Sequence, residues 1–341
     1  MIAVAATREV SASGFHPIES KLVVWIPVAA AIAYPWTLIA FHSAIISGLR
    51  IEAAICLILG FTLPLLCLAL AAAPGLNHLQ LAPATRRLAY AGVAAPPLYV
   101  LVGVVSGLLK SPVPERVTWV AVWIAAGVLA FLLTSNAPAA AAPSTNRLRF
   151  AHGISAALIS LFIAFHVCNH VAGLIGPDAH AHIMAFGRRM YRSYVGEPVL
   201  VTLLLFQIIS GVRLAWNWGY GAVDLPRALQ VGSGAYLAAF VLAHMDSALI
   251  SARMVHRIDS NWAWASGGRA GLIMDAWNIR LVPHYALGVF FVLTHIACGA
   301  RGLLLAHGAR ESVTNRVLWA SMSFATVLSA AILAALCGVR V

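Results

Sequence analysis

The chain has 341 residues, of which 61% are hydrophobic and only 10% are charged, and its formal net charge is +11. Soluble domains contain about one quarter charged residues, so this chain has too few polar residues to cover a surface that faces water. Its cations lie in short connections between apolar runs, which favours contact with lipid headgroups over contact with nucleic acid. The composition therefore predicts an integral membrane protein in contact with the lipid bilayer.

The cysteines argue against several kinds of metal and redox site. Each of the five stands alone in an apolar run, with no CxxC or CxxCH motif. This pattern disfavours an iron–sulfur cluster, a zinc knuckle, covalent haem attachment and a disulfide framework. The N-terminal segment has no apolar core of signal-peptide length, so we expect the first hydrophobic run to be a retained span.

Apolar runs of transmembrane length follow one another along the chain. An α-helix needs roughly 20 apolar residues to cross a hydrocarbon core of about 30 Å. Runs of this kind occur near 22–47, 52–73, 88–109, 117–134, 150–175, 198–216, 231–251, 281–305 and 317–338. Because a backbone in lipid must satisfy its own hydrogen bonds, we predict an all-α, polytopic membrane protein of about nine transmembrane helices.

A linker is predicted between the fourth and fifth spans. Residues 135–146 are small, polar or proline and show no periodicity. They would divide the chain into a front part of about four helices (1–134), whose role the sequence does not indicate, and a rear part of five helices (147–341). Lysine and arginine are nearly balanced between the two sides of the membrane, so charge gives no orientation.

The 13 histidines outnumber the 11 carboxylates. Most lie in loops or at helix ends, but His166, His244 and His295 lie deep within predicted spans, where an ionisable group suggests function. At 1.5 Å per residue, His166 and His244 lie about 24 Å and 20 Å from the same side of the membrane. His295 lies nearer the opposite side, and Gln207 is near the middle.

Two imidazoles at matched depth on different helices favour axial ligation of a b-type haem, with His166 and His244 binding the iron. Each neutral imidazole gives one nitrogen to the metal and its other N–H to a partner. Glycine and alanine residues on the fifth and seventh spans would make room for the macrocycle. Taken singly, each histidine is better explained as a hydrogen-bonded packing residue.

The rear part, roughly 147–338, resembles the membrane-anchor cytochrome b subunit of succinate dehydrogenases and fumarate reductases, in its five-helix form. The matching segments are RLRFAHGISAALISLFIAFHVCNH (147–170), LLFQIISGV (204–212), QVGSGAYLAAFVLAH (230–244) and HYALGVFFVLTHIACGARGL (284–303). In two-haem members of that family, ligands on the first and third helices hold one haem, and ligands on the second and fourth hold the other.

The resemblance places these ligand positions at His166, Gln207, His244 and His295. Glutamine is not a usual axial ligand, so one haem b is expected and two remain possible, with His295 at a second site where Gln207 replaces the family's histidine. The resemblance also implies a quinone as the electron partner, separate flavoprotein and iron–sulfur subunits, and a bacterial inner membrane with the N-terminus on the cytoplasmic side. The front helices have no counterpart in that family.

A quinone needs polar groups beside its headgroup, since its redox chemistry moves protons. The connection 177–198, which follows His170, is rich in histidine and arginine and supplies Tyr191 and Arg192. His170, Tyr191 and Arg192 are therefore candidate quinone contacts, and an interfacial helix that binds lipid headgroups is the alternative for this segment.

No flavin or nicotinamide fingerprint is present, so the chain is not expected to be a dehydrogenase by itself. We predict a membrane cytochrome that carries electrons between a redox partner and the quinone pool. The alternative is a cofactor-free transporter or a structural assembly subunit. It is favoured by the front helices, which we expect to be kinked at Pro27, Pro35, Pro64, Pro96 and Pro97.

Overall fold

The computed structural model describes residues 21–72, 81–133, 145–218 and 223–341, and these ranges contain no β-strand. In chain order the α-helices are α1 (Trp25–Ile46), α2 (Arg50–Ala72), α3 (Pro83–Val93), α4 (Ala95–Leu108), α5 (Glu115–Leu133), α6 (Asn146–Val171), α7 (Pro177–Tyr191), α8 (Gly196–Trp218), α9 (Leu225–Met245), α10 (Trp262–Ala265), α11 (Leu281–Ala306) and α12 (Glu311–Leu336). Helix α9 continues as a π-helix, Asp246–Val255.

Within the described ranges, eight helices are long and apolar enough to cross a membrane, and α3 and α4 together make a possible ninth. These helices confirm that the described ranges are all-helical, and they are consistent with a polytopic membrane protein. The two halves of the ninth span meet at an angle of 69°. Pro96 and Pro97 open α4 and have no backbone N–H to bond with the last turn of α3, which accounts for the break. Helices α1 and α2, by contrast, continue through Pro35 and Pro64.

Helix α9 connects the front and rear parts. It packs against α8 and α11 of the rear and against α2, α3 and α4 of the front. Gly232 on α9 allows this approach, because a Cβ there would lie 2.5 Å from the side chain of Leu68 on α2. One hydrophobic cluster contains Leu68, Val93, Tyr236 and Phe291, which come from both parts. Most of the predicted linker lies outside the described residues. Helices of the front part and helices of the rear part nevertheless share this hydrophobic cluster.

A buried ion pair joins the two parts near side two of the membrane, the side opposite the one at which α6 begins. The guanidinium of Arg280, just before α11, donates to both carboxylate oxygens of Glu115 on α5, at 2.9 and 2.6 Å. The Arg280 side chain is only 6% exposed. Tyr99 donates to the same carboxylate and lies under the guanidinium. Gly103 leaves room for the pair, because a Cβ there would lie 2.5 Å from the guanidinium.

We expect Glu115→Gln to lower the free energy of unfolding by about 3 kcal/mol, because it leaves the Arg280 charge buried without its counter-ion. The matched control is Glu311→Gln, whose carboxylate is 71% exposed and pairs with Arg301. That change should cost less than about 1 kcal/mol. Thermal or denaturant unfolding in detergent measures both, and equal losses in the two variants would contradict the structural role given to the Glu115 pair.

Candidate functional site

Histidines lie near both ends of helix α6. His152 is in its second turn, and His166 is about four helical turns further along, so the two side chains share one face of the helix. Each is joined there by histidines from other helices. The bundle therefore has two histidine groups, one towards each side of the membrane.

The group near side two brings together His166 on α6 and His244 on α9, the two residues predicted to face each other. Their ring centroids are 5.7 Å apart and the rings are nearly perpendicular, at 75°. Two imidazoles on opposite sides of one metal ion, each with a metal–nitrogen bond of about 2 Å, have centroids about 6 Å apart. The observed spacing is close to that arrangement.

Aromatic residues one turn earlier orient both rings. Phe162 stacks on His166 at 5.4 Å and 19°, and Phe240 stacks on His244 at 5.6 Å and 13°. Within the described part of the chain, neither ring takes part in a hydrogen bond, and both are only half-buried. Ring nitrogens without partners inside an apolar bundle are suited to bind a metal or a polar ligand.

Helices α6 and α8 are the least buried of the candidate spans in the described ranges, and α1 is the most buried. Helix α6 packs mainly against α8, α7 and α12. Its histidine-bearing face therefore meets α9 through side chains such as His166 and His244. The spacing of His166 and His244 and their unpartnered nitrogens are the features that a flat cofactor held by both rings would require.

Three further histidines surround this pair. His170 lies 4.7 Å from His166 and 5.4 Å from His180 on α7, measured between ring centroids. His284 at the start of α11 is 2% exposed. The Nδ1 atoms of His170, His180 and His284 are buried and have no hydrogen-bond partner among the described residues. These three nitrogens therefore lack the partner that a buried polar atom usually has.

The indole of Trp262 on α10 closes the cluster from side two. It lies 4.9 Å from His180 between ring centroids and 6.4 Å from His170. Its ring rests against Gly173, where a Cβ would overlap it. The side-chain amide nitrogen of Asn169 donates a hydrogen bond to Nε2 of His180 at 3.2 Å. The cluster thus combines an aromatic wall with several titratable nitrogens.

The other two predicted quinone contacts lie at the edge of the cluster. Tyr191 meets Phe162 edge-on at 5.5 Å, which places it one ring away from His166. Arg192 points to the surface, where it binds the carboxylate of Asp259 at 2.7 Å and Oγ of Ser260 at 3.0 Å. That hydrogen bond from Arg192 lowers the pKa of Asp259. Of the three, His170 is the residue inside the buried cluster.

Helix α7 matches the alternative prediction for this segment in its exposure. Phe186 and Met190 are largely exposed, and two arginines lie in the last turn of the helix. An amphipathic helix of this kind lies at the interface between lipid and water. Helix α7 can therefore contact headgroups on its outer face while His180 on its inner face completes the histidine cluster.

The group near side one contains a different residue opposite His295 from the one that the sequence predicts. The side-chain amide of Gln207 donates to the backbone oxygen of His152 at 2.8 Å and to Oγ of Ser155 at 2.5 Å. The residue whose ring faces His295 is His152, at 6.4 Å between centroids. Sequence reasoning passed over His152 because it lies close to a helix end. The signal that could have found it is its spacing from His166, which puts both on one helix face.

Comparison with protein-family models, with curated proteins and with solved structures gave no match. Among the residues that the structure describes, no group of three or more His, Cys, Asp or Glu side chains is arranged to hold a metal ion.

The pH dependence of stability tests the burial of His180. Burial, together with the charge of Arg188, lowers the pKa of His180 to about 4. An unfolded histidine titrates near pH 6.5, so between about pH 6.5 and 4 the unfolded chain takes up a proton that the folded chain refuses. Stability should therefore fall as the pH drops through this window, by at most about 3 kcal/mol from this residue.

Unfolding midpoints measured from pH 7.5 to 4 in detergent check this expectation. His180→Gln should remove that part of the pH dependence. The matched control His182→Gln lies on the same helix but is exposed, and it should behave as the wild type. A pH profile of His180→Gln identical to the wild-type profile would show that His180 is not buried in its neutral form.

Proposed function

We propose that this protein is a membrane-bound b-type cytochrome that carries electrons between a redox partner and the quinone pool, with His166 and His244 as the axial ligands of haem b. The observation that supports it most is the facing of these two rings at 5.7 Å across two helices. The depth calculation from the sequence leads to the same pair independently.

Haem b held by His166 and His244 would supply one-electron transfer. The chain's own part is to fix the ligands and to keep water away. Phe162 and Phe240 set the rotation of the two rings. The surrounding apolar helices exclude water, which favours the neutral imidazoles that bind a metal.

The quinone contact is best placed at the side-two end of the cluster. His170 adjoins His166, and its Nδ1 atom is buried without a partner among the described residues. Trp262 offers an aromatic face beside it. We infer that His170 and His180 hold and release the protons that accompany quinone redox, while Tyr191 shapes the entrance. Arg192 holds Asp259 and takes part only indirectly.

The proposal extends to the partners and the location. Electrons would come from separate flavoprotein and iron–sulfur subunits or from other membrane carriers, because the sequence carries no flavin or nicotinamide fingerprint. The resemblance to the anchor subunits of succinate dehydrogenase and fumarate reductase supports a bacterial inner membrane with the N-terminus on the cytoplasmic side.

Haem content tests the ligand assignment. The purified full chain, expressed with adequate haem, should show a b-type band in a reduced-minus-oxidised spectrum. His166→Ala and His244→Ala should each remove about one haem per chain by pyridine haemochrome analysis, because each change takes away one of the two imidazoles that would hold it. His307→Ala, an exposed histidine at the end of α11, serves as the control and should keep the wild-type content.

A wild-type protein without any b-type band would overturn the cytochrome and leave the cofactor-free transporter or assembly subunit as the better description. Loss of haem in His307→Ala to the same extent as in His166→Ala would also count against the assignment, since it would reflect general misfolding.

Reduction by quinol tests the role of His170. We expect His170→Leu to slow haem reduction by a soluble quinol on the order of 100-fold, the scale of a lost acid–base group, while reduction by dithionite remains unchanged. Arg192→Gln should have a much smaller effect, because its side chain is engaged by Asp259. Stopped-flow absorbance of the haem band gives both rates. Equal rates in His170→Leu and the wild type would place the quinone site elsewhere.

A further inference from the structure

The second histidine group, near side one, lies where α6, α8, α9 and α11 converge. His152 is about 9 Å from the start of α6, and His295 is about 16 Å from the end of α11, so both lie in the side-one half of the membrane. Their ring centroids are 6.4 Å apart and their planes are at 81°. This spacing is again close to the value of about 6 Å for two imidazoles bound to one metal ion.

The hydrogen bonds of His295 determine which of its nitrogens carries the proton. Nδ1 lies 3.0 Å from the backbone oxygen of Gln230. A carbonyl oxygen can only accept, so Nδ1 must be the N–H. Oγ of Ser233, at 3.1 Å from the same nitrogen, already donates to the backbone oxygen of Leu229 at 2.6 Å. Nε2 of His295 is therefore unprotonated and has a lone pair to offer.

The same reasoning applies to His152. Its Nδ1 lies 2.7 Å from Oγ of Ser210. That hydroxyl donates its single hydrogen to the backbone oxygen of Phe206 at 2.5 Å, so it accepts from Nδ1 of His152. Nε2 of His152 is left with a lone pair as well. Within the described residues, nothing donates a hydrogen bond to either Nε2 atom.

The lone pairs on the two Nε2 atoms are available to an electron-pair acceptor placed between the rings. Each ring also packs closely against a glycine. The Cε1 edge of His152 lies 3.5 Å from where a Cβ on Gly211 would be, and that of His295 lies 3.1 Å from the corresponding position on Gly234. A residue larger than glycine at 234 would push His295 away, so the backbone is fitted to the ring.

Positive charge lies beside the pair on side one. Gln230 contacts both the histidine pair and this positive charge. Its backbone oxygen accepts a hydrogen bond from His295, and its side-chain oxygen accepts one from Arg227 at 2.5 Å. Arg149 and Arg301 lie near Arg227, as does the carboxylate of Asp224, and Arg301 also pairs with Glu311. A cluster of arginines at the membrane surface is suited to pair with carboxylates such as haem propionates.

We propose that His152 and His295 are the axial ligands of a second haem b, an inference that rests on the proposed cytochrome function. His152 then takes the place that the resemblance assigns to Gln207. Gln207 acts instead as a positioning residue that holds α8 to the backbone of α6 beside His152. The two haem sites lie about 20 Å apart along α6 and together connect the two sides of the membrane.

Haem stoichiometry of the purified full chain tests the assignment. We expect about two haems per chain in the wild type. His152→Ala and His295→Ala should each remove one haem and leave the band that His166→Ala and His244→Ala remove. His307→Ala, just after the helix that carries His295, should keep both. Redox titration should resolve two components in the wild type and one in His152→Ala.

A second pair of variants separates ligation from folding. In His152→Gly and His295→Gly, added imidazole should restore the missing haem band, because a free imidazole can occupy the vacated ligand position. Failure of imidazole to restore the band in both variants would overturn the ligand role.

The remaining outcomes also discriminate. One haem per chain that is lost in His166→Ala and kept in His152→Ala and His295→Ala would overturn the second site while sustaining the proposed function. Two haems, one of which is lost in Gln207→Leu but not in His152→Ala, would overturn the choice of His152. No haem in the wild type would remove the proposed function and this inference together.

Discussion

The need to satisfy imidazole nitrogens inside an apolar bundle is the constraint on which the arrangement of the rear helices depends. Water is excluded there, so every buried ring nitrogen needs a donor, an acceptor or a metal. At side one, serine hydroxyls and the Gln230 carbonyl fix one nitrogen of each ring. At side two, aromatic stacking fixes the rings of His166 and His244 while their nitrogens stay free. In both groups, ring nitrogens are left without a hydrogen-bond partner among the described residues.

The front helices contribute to this arrangement through α9. That helix carries His244 and packs against α2, α3 and α4 as well as against its rear neighbours. The close approach at Gly232 and the ion pair between Arg280 and Glu115 fix α9 and the start of α11 relative to the front part. Through these contacts the front helices help to set the positions of α9 and α11, two helices that carry histidines of the two groups.

Much of the fold could be predicted because the bilayer imposes simple lengths. A span needs a fixed run of apolar residues, so the helices of the described ranges lie close to the predicted runs. The rise per residue of a helix also predicted that His166 and His244 lie at similar depth in the membrane. Proline effects could not be predicted in the same way. Pro35 and Pro64 are tolerated and the span with Pro96 and Pro97 is broken, since the outcome depends on which neighbours satisfy the freed carbonyls.

The sequence by itself determined the membrane character, the helical spans, their order and the depth of each histidine, because these follow from composition and from the rise per residue. Only the tertiary structure decided which histidines meet. Depth does not specify how a helix is rotated or which neighbour it faces, and those are set by side-chain packing and by hydrogen bonds such as that of Gln207 to the backbone of His152. For that reason the partner of His295 is a histidine near a helix end, and the glutamine at the expected position binds the backbone beside it.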